Sequence, residues 1–383
     1  MDFLLSEEQR MLQRMVRDFA RLEIAPAAAA LDAGSAFPAD HLPKLAALGL
    51  MGMMIGTEWG GAGMDTLSYV IALEEISAAC ASTAITMSVN NSLYCGPLAT
   101  FGTEEQKARF LTPFAAGRAL GAYALSEPGS GSDAAALQAT AVKQGAHYVL
   151  NGRKNFITNG PHADAMIVFA STDKAKKHHG ISAFVVEQGT PGFAVGKIEK
   201  KLGIRASSTC EILLENCKVP EGNRLGREGE GFTIAMTTLD AGRIGIATQA
   251  LGIGRAAYEF ARKYATERHA FGQAIAQFQA IQWKLADMAM KLDAARLLVH
   301  RAAWMKDRGM PIVKEAAMAK LFASEAANWI AKEAVQILGG YGYICDFPVE
   351  RYYRDAKITE IYEGTSEIQR LVIARQVLKE LNA

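Results

Sequence analysis

The chain has 383 residues, half of them hydrophobic and 21% charged, a composition typical of a folded protein of two or three domains and unlike that of a disordered one. Lysine plus arginine number 41 and aspartate plus glutamate 40, so the charge balance gives no reason to expect nucleic acid or a membrane as a partner. The N-terminal sequence MDFLLSEEQR lacks the basic start and long apolar core of a signal peptide, and no apolar run approaches the length of a transmembrane helix. We therefore expect a cytoplasmic protein.

The cysteines are odd in number and show no C-x-x-C spacing, which argues against a disulfide framework or a zinc site. We expect no metal site, and buried thiols in a reducing compartment. The five cysteines are Cys80, Cys95, Cys210, Cys217 and Cys345.

Residues 1–120 are predicted to form an N-terminal helical domain. Ser6 with Gln9, and Thr103 with Gln106, each have the spacing of a capping box, in which two side chains satisfy backbone groups at the start of a helix.

Residues 121–230 are predicted to form a middle β-domain. Asn151-Gly152 has the composition of a hairpin turn between two strands. No long amphipathic helix interrupts the apolar runs, so we expect an antiparallel sheet or barrel and not a βαβ unit. The runs cover residues 148–150, 165–170, 181–186, 193–195 and 208–214.

Residues 231–383 are predicted to form a C-terminal helical bundle, which makes the whole chain an α+β protein in the order α, β, α. Gly339-Gly340 is a suitable end for one of its helices. Two sets of apolar residues at helical spacing predict buried stripes. The first set is Met288, Leu292, Ala295 and Val299, and the second is Met318, Leu321, Phe322 and Ile330.

The segment from Tyr123 to Asp133 is rich in glycine and serine. Gly129 and Gly131 allow the backbone to approach a ligand closely, and serine hydroxyls suit a pyrophosphate or the edge of a flavin. The segment matches neither a Walker loop nor the G-x-G-x-x-G fingerprint, so on these residues alone a ligand loop and a surface turn are equally acceptable.

Glu363 stands between the apolar pair Ile361-Tyr362 and Gly364, just before a helix for which Ser366 and Gln369 predict a capping box. A carboxylate beside apolar residues can have its pKa raised, which suits a general base. The alternative is an ordinary glutamate at the start of a helix, stabilised by the helix dipole. The residues by themselves leave both interpretations open.

Several motifs together resemble the acyl-CoA dehydrogenase family, in that family's order and over essentially the whole chain. The motifs are Tyr123–Asp133, Asn155–Asn159, Arg268–Gly272, Gln336–Gly340 and Ile361–Thr365. The resemblance implies a three-domain fold and FAD as the cofactor.

By this resemblance, one group of residues lines the flavin of the same subunit. Thr158 would approach the reactive N5, and many members of the family carry tryptophan at the position of Phe156. The group comprises Tyr123, Leu125, Ser126, Gly131, Ser132, Phe156, Ile157 and Thr158.

A second group matches family positions that contact the FAD of an adjacent subunit, so the resemblance implies at least a dimer, with a homotetramer as the usual assembly. Thr365 and Glu367 match positions near the adenosine half of FAD. The second group comprises Arg268, Phe271, Gln279, Gln336, Gly339 and Gly340.

The resemblance implies that Glu363 removes the α-proton of an acyl-CoA thioester. Some family members instead carry this glutamate at the position of Gly242, which cannot accept a proton. The β-hydride would pass to flavin N5, giving a trans-2-enoyl-CoA, and the electrons would leave through an electron transfer flavoprotein. Positions matching contacts to the acyl-CoA are Ser132, Asp240, Arg243 and Gly364.

The sequence is most similar to the short-chain, butyryl-CoA branch of the family. Met87, Leu93 and Tyr94 are our candidates for the side chains that close the acyl pocket after about four carbons. A dehydrogenase of branched short-chain thioesters, such as isobutyryl- or 2-methylbutyryl-CoA, is the alternative. A non-enzymatic FAD-binding protein is an alternative of a different class.

Overall fold

The computed structural model describes residues 4–380 and confirms the predicted α+β architecture. Along the chain, a group of helices comes first, the strands of the sheet follow, and a second group of helices comes last. The termini of the first and last predicted domains, residues 1–3 and 381–383, lie outside the described residues. The two capping boxes predicted in the N-terminal domain, at Ser6 and Thr103, are present at the starts of α1 and α7 in the following series. The N-terminal helices are α1 (Glu7–Phe19), α2 (Ala28–Gly34), α3 (His41–Ala47), α4 (Thr66–Ala79), α5 (Ala81–Ser88), α6 (Gly96–Phe101), α7 (Glu104–Gln106) and α8 (Thr112–Ala115).

The middle sheet has the strand order β6-β7-β3-β2-β4-β5-β8, with β1 beside β4. Its pairs are antiparallel, except that β1 and, at one residue pair, β2 run parallel to β4, so the prediction of an antiparallel sheet is wrong at these two pairs only. Leu120 and Asp164 exchange two hydrogen bonds of 2.8 Å where β1 and β4 begin, which aligns the two strands side by side. The strands are β1 (Gly121–Ala124), β2 (Thr140–Gln144), β3 (His147–Thr158), β4 (Ala165–Ser171), β5 (Ile181–Glu187), β6 (Phe193–Ile198), β7 (Thr209–Pro220) and β8 (Arg224–Leu225).

The hairpin predicted at Asn151-Gly152 is also wrong. The turn between β2 and β3 lies at Gly145, which has φ 61°, and Asn151 and Gly152 lie inside β3 at an irregularity of its pairing with β7. A β-carbon on Gly152 would lie 2.6 Å from that of Ala139. The glycine therefore permits a close approach of two chain segments and does not form a turn.

The sheet is buried on both faces. Along β4, Ile167 and Phe169 belong to the core shared with the helices, whereas Met166 and Val168 belong to a second core on the other face of the sheet. Successive side chains of a strand point to opposite faces, so burial of both faces explains why β4 is apolar throughout.

The C-terminal helices pack around the long helix α9. The predicted stripe on α10 is buried, but of the second predicted stripe only Ile330 is, and Phe322 is 36% exposed. The reason is that α11 contacts α9 through small residues, with Ala327 lying against Gly254. As predicted, α11 ends next to Gly339, which has φ 60°. The elements are α9 (Gly231–Glu267), β9 (His269–Ala270), β10 (Gln273–Ala274), α10 (Gln279–Asp307), α11 (Val313–Leu338), α12 (Val349–Ile358) and α13 (Ser366–Glu380).

Four of the five cysteines are buried, but Cys345 is exposed, so the prediction of a buried thiol is wrong at that position. Cys345 lies in the surface loop between α11 and α12, where the neighbouring Tyr343 is also exposed. Within residues 4–380, no helix combines the length and the apolar character needed to cross a membrane.

Candidate active site

The predicted base lies in a tight turn between α12 and α13. Glu363 has φ 51° and Gly364 has φ 95°, so both adopt left-handed backbone, which is unfavourable for a residue with a side chain. Thr365 precedes α13, and its Oγ1 accepts a hydrogen bond from the Ile368 N–H at 3.4 Å. The capping box predicted at Ser366 is therefore wrong, because Ser366 is already the first residue of the helix.

The carboxyl group of Glu363 lies in a buried space between α9 and this turn. Its Oε2 is buried and has no hydrogen-bond partner among the described residues. A β-carbon built on Gly242 of α9 would lie 2.3 Å from this oxygen and 3.0 Å from Cδ2 of Leu93. The absence of a side chain at Gly242 therefore leaves room for the carboxyl group.

Burial raises the pKa of Glu363 to about 7, against the opposing effect of the positive charges of Lys320 and Arg243. Removal of a carboxylate from water favours its neutral form, and nearby cations offset only part of that penalty. A carboxylate with a pKa near neutrality is suited to act as a general base at physiological pH.

Three tyrosines surround the carboxyl group and are neutral at physiological pH. Burial, and secondarily the charge of Glu363, raises the pKa of both Tyr123 and Tyr362 well above its usual value. The pKa of Tyr69 is raised mainly by burial, and its hydroxyl is hydrogen-bonded to that of Ser88 at 2.8 Å. The hydroxyl of Tyr123 is buried without a partner among the described residues, so a polar group is available to a ligand here.

The segment that follows β1 presents the predicted flavin-lining residues at a surface. The buried side chain of Glu127 anchors this segment to its neighbours. Its carboxylate accepts hydrogen bonds from the Gln138 N–H at 2.5 Å, the Ala139 N–H at 3.0 Å and Lys154 Nζ at 2.8 Å. β-Carbons on Gly129 or Gly131 would meet no atom within 4 Å. Along this segment Tyr123 and Leu125 are buried, Ser126 is half-buried, and Gly131 and Ser132 are exposed.

Strand β3 places Phe156 next to this segment. The Asn155 N–H donates to the Ser126 carbonyl at 2.8 Å, which joins the two parts of the chain. A pairing irregularity between Lys154 and Ile157, with φ 59° at Phe156, leaves the Phe156 ring 64% exposed. Ile157 is buried and Thr158 is half-buried.

The predicted acyl-CoA contacts on α9 form an ion pair. Arg243 donates to Asp240 at 2.6 Å, and both residues line a cavity of about 500 Å³ between α9 and α13. Arg375 and Lys379 add positive charge to the same cavity. Ser132 lies in the segment between β1 and β2, and Gly364 lies in the turn beside Glu363.

The residues predicted to contact the FAD of another subunit lie in a different part of the molecule. Arg268, Gly339 and Gly340 line a second cavity of about 440 Å³, which shares no lining residue with the first. The ring of Phe271 is 97% exposed, and Gln279 and Gln336 are exposed as well. Within one chain these residues are not gathered around Glu363.

Three family models together match most of the chain. Residues 6–118 match the acyl-CoA dehydrogenase N-terminal domain, residues 122–217 the middle domain and residues 229–378 the C-terminal domain. The chain belongs to the acyl-CoA dehydrogenase family. This membership confirms the predicted enzyme class, a flavin-dependent oxidoreductase, and the predicted cofactor, FAD.

Several relatives and solved structures are similar to this protein over nearly its whole length. The short-chain specific acyl-CoA dehydrogenase of rat mitochondria (Rattus norvegicus) is 56% identical over 375 residues, which are 98% of this chain and 91% of the relative. The butyryl-CoA dehydrogenase of Megasphaera elsdenii has a TM-score of 0.97 and 47% identity, with 99% of this chain and 100% of that chain covered. A chain in a structure of the electron transferring flavoprotein of Acidaminococcus fermentans has a TM-score of 0.98 and 51% identity, with the same coverage.

The residues present in this acyl-CoA dehydrogenase fit a flavin. The exposed Phe156 ring offers a face for a planar aromatic group, and Gly129 and Gly131 leave their backbone open to a phosphate. The hydroxyl of Tyr123 is buried without a partner among the described residues and interacts electrostatically with Glu363.

Four residues near Glu363 were not predicted from the sequence: Tyr69, Ser88, Gln249 and Lys320. Tyr362 donates a hydrogen bond to the Gln249 side chain, and Lys320 donates to the Gly364 carbonyl at 2.7 Å. All four lie on helices that have no recognisable sequence motif at these positions. The one signal that the sequence offers for them is a polar residue within a mostly apolar helical segment, because a buried polar group needs a partner.

Proposed function

We propose that this protein converts a short-chain acyl-CoA to the trans-2-enoyl-CoA, with Glu363 as the base that removes the α-proton. The observation that carries the proposal is the Oε2 of Glu363, which is buried and unpartnered beside Gly242. The pKa of about 7 means that the carboxylate and its protonated form are both accessible near neutral pH.

The turn around Glu363 also supplies a donor for the thioester oxygen. Among the backbone hydrogen bonds of the described residues, none has the Glu363 N–H as its donor. A thioester carbonyl placed there would receive this N–H while its α-carbon faces the carboxylate, which stabilises the negative charge that develops as the proton leaves. Bound FAD supplies the acceptor for the β-hydride.

We assign the remaining site residues by the same proposal. Asp240 and Arg243, with Gly364 and Ser132, would bind the acyl-CoA. The residues proposed to hold FAD are Tyr123, Leu125, Ser126, Gly131, Ser132, Phe156, Ile157, Thr158, Thr365 and Glu367 from one subunit, and Arg268, Phe271, Gln279, Gln336, Gly339 and Gly340 from another.

A short, straight acyl chain is the proposed substrate. The relatives from rat and Megasphaera elsdenii are described as short-chain specific and butyryl-CoA dehydrogenases, respectively. Leu93 lies next to the base and can limit the pocket. Tyr94 instead packs against Phe114, with ring centroids 4.4 Å apart, and under Gly121. We therefore retain Leu93 as a determinant of chain length in preference to Tyr94.

We further propose a homotetramer that passes its electrons to an electron transfer flavoprotein. Trp283, Met290 and Leu297 are spaced by seven residues on α10 and are 64%, 63% and 52% exposed. An exposed apolar stripe of this kind is suited to helix packing between subunits. The structural neighbour from Acidaminococcus fermentans supports association with the flavoprotein. The cytoplasmic location stays a prediction.

The test is the Glu363→Gln variant, which preserves the size of the side chain and removes the base. Anaerobic mixing with butyryl-CoA should bleach the flavin about 10²–10⁴-fold more slowly than in the wild-type protein, because loss of a general base typically has an effect of this size. FAD content and sedimentation should be unchanged. Reduction at a near wild-type rate would show that Glu363 is not the base.

A further inference from the structure

Lys320 is a fully buried lysine whose ammonium group is directed at the turn that carries the base. It lies on α11, and its Nζ donates a hydrogen bond to the Gly364 carbonyl at 2.7 Å. Burial lowers the pKa of Lys320 to about 8, while the negative charge of Glu363 favours its charged form. A buried ammonium is unfavourable unless it is paired and hydrogen-bonded, so its presence here needs a reason.

The same turn is held by a second buried side chain. Gln369 Nε2 donates to the Gly364 carbonyl at 2.8 Å and to the Glu363 carbonyl at 3.3 Å. The Gly364 carbonyl is thus fixed from α11 and from α13, and the Glu363 carbonyl from α13, and both residues have left-handed backbone. A residue with a side chain keeps an unfavourable left-handed backbone only where neighbouring contacts hold it there. The hydrogen bonds from Lys320 and Gln369 are contacts of this kind.

The two positive charges near Glu363, those of Lys320 and Arg243, differ in whether another carboxylate is paired with them. Arg243 forms an ion pair with Asp240 at 2.6 Å, so much of its charge is compensated. Lys320 forms no ion pair within 4 Å with any carboxylate of residues 4–380, and its influence on the Glu363 pKa exceeds that of Arg243. Glu360 and Glu367 contribute weaker attraction to the ammonium. The groups facing the site from the other elements are the neutral hydroxyls of Tyr69, Tyr123 and Tyr362.

We propose that Lys320 is a positioning residue for Glu363: it fixes the turn through the Gly364 carbonyl, and its positive charge stabilises the carboxylate form of the base. This inference rests on the proposed role of Glu363. It assigns the buried lysine a function in the reaction that packing alone would not require.

The experiment compares three variants at this position. Lys320→Met removes both the charge and the hydrogen bond. Lys320→Gln has a side chain as long as that of methionine but keeps an amide donor. Lys320→Arg retains the charge. Lys306→Met is the control, since it removes a half-buried lysine whose neighbours are Met54 and Asp307 and not Glu363. The measurement is kcat/KM for butyryl-CoA as a function of pH, with FAD content and thermal stability recorded for each protein.

The acid limb of this profile reports the ionisation of the base in the free enzyme. In Lys320→Met and Lys320→Gln the limb should move up by about one pH unit, because a neighbouring opposite charge typically lowers a carboxyl pKa by 1–3 units. The plateau should fall more in the methionine variant than in the glutamine variant. In Lys320→Arg and Lys306→Met the limb should stay in place.

An acid limb that does not move in the folded, FAD-containing Met and Gln variants would overturn the inference, as would an equal movement in Lys320→Arg. Should the methionine variant fail to fold, the Gln and Arg pair decides in the same way. The residual activity of Glu363→Gln should show no such limb. If the wild-type limb persists in Glu363→Gln, the proposed base is wrong and the inference is overturned with it, whereas a limb that vanishes there but is unmoved by the Lys320 variants overturns the inference alone.

Discussion

A β-carbon built on Gly242 would lie 2.3 Å from Oε2 of Glu363, so α9 and the turn before α13 reach the same point in the active site from two directions. Two carboxylates would repel each other and could not both fit in this space. Glycine at position 242 therefore leaves room for the carboxyl group of Glu363, and we expect a carboxylate carried at position 242 to reach the same space.

The first prediction relocates the base. Glu363→Gly combined with Gly242→Glu should regain part of the flavin reduction lost in Glu363→Gly alone, by about tenfold or more, because a positioned general base contributes a factor of at least that size. Stopped-flow reduction by butyryl-CoA measures the effect. Gly254→Glu in the Glu363→Gly background is the control, since a β-carbon there would contact Ala327 and Leu292 instead. Equal recovery in both double variants would contradict the prediction.

The second prediction concerns pH. Glu363 acts as a base only when ionised, and burial raises its pKa to about 7. Because the protonated fraction grows as the pH falls, kcat/KM for butyryl-CoA should decrease about tenfold per pH unit below that value and level off above it. A dye-acceptor assay over a range that leaves FAD bound is the measurement. A flat profile through the neutral range would rule out Glu363 as the titrating base.

The third prediction concerns the cofactor and the assembly. Arg268→Ala should weaken FAD retention by about tenfold or more, since a hydrogen bond to a charged group is typically worth about 1.5–3 kcal/mol. The rate of flavin reduction at saturating FAD should change little. The flavin-to-protein absorbance ratio after dilution, with sedimentation, measures both. Arg262→Ala is the control, an exposed arginine of α9 that stacks on Tyr258. A stable monomer with full FAD would contradict the proposed assembly.

The fourth prediction concerns chain length. Leu93→Ala should raise the ratio of kcat/KM for hexanoyl-CoA to that for butyryl-CoA by about tenfold, because accommodating a methylene is worth about 1–3 kcal/mol. Tyr94→Phe should leave the ratio unchanged, since Tyr94 packs against Phe114 and Gly121. A panel of straight and branched thioesters measures this. A higher wild-type kcat/KM for octanoyl- or isobutyryl-CoA than for butyryl-CoA would contradict the short straight-chain assignment but not the dehydrogenase.

The order of helices and strands could be predicted from the sequence because it depends on local signals. The capping boxes at Ser6 and Thr103 and the apolar stripe of α10 act within a few residues of chain, and the structure confirms each of them. The position of Glu363 could be proposed from its motif for the same reason, since the motif is a continuous segment.

Only the tertiary structure decided the features that depend on distant segments. Gly152 resembles a turn residue in sequence, but it is needed where β3 passes Ala139. Phe322 has the spacing of a core residue, yet the small residues of α11 are the ones that face α9. Lys320 and Tyr69 come to Glu363 from α11 and α4, and no local pattern marks them. Burial and electrostatic contact between segments far apart in sequence determine the environment of Glu363, because they arise when the helices pack together and not within any one of them.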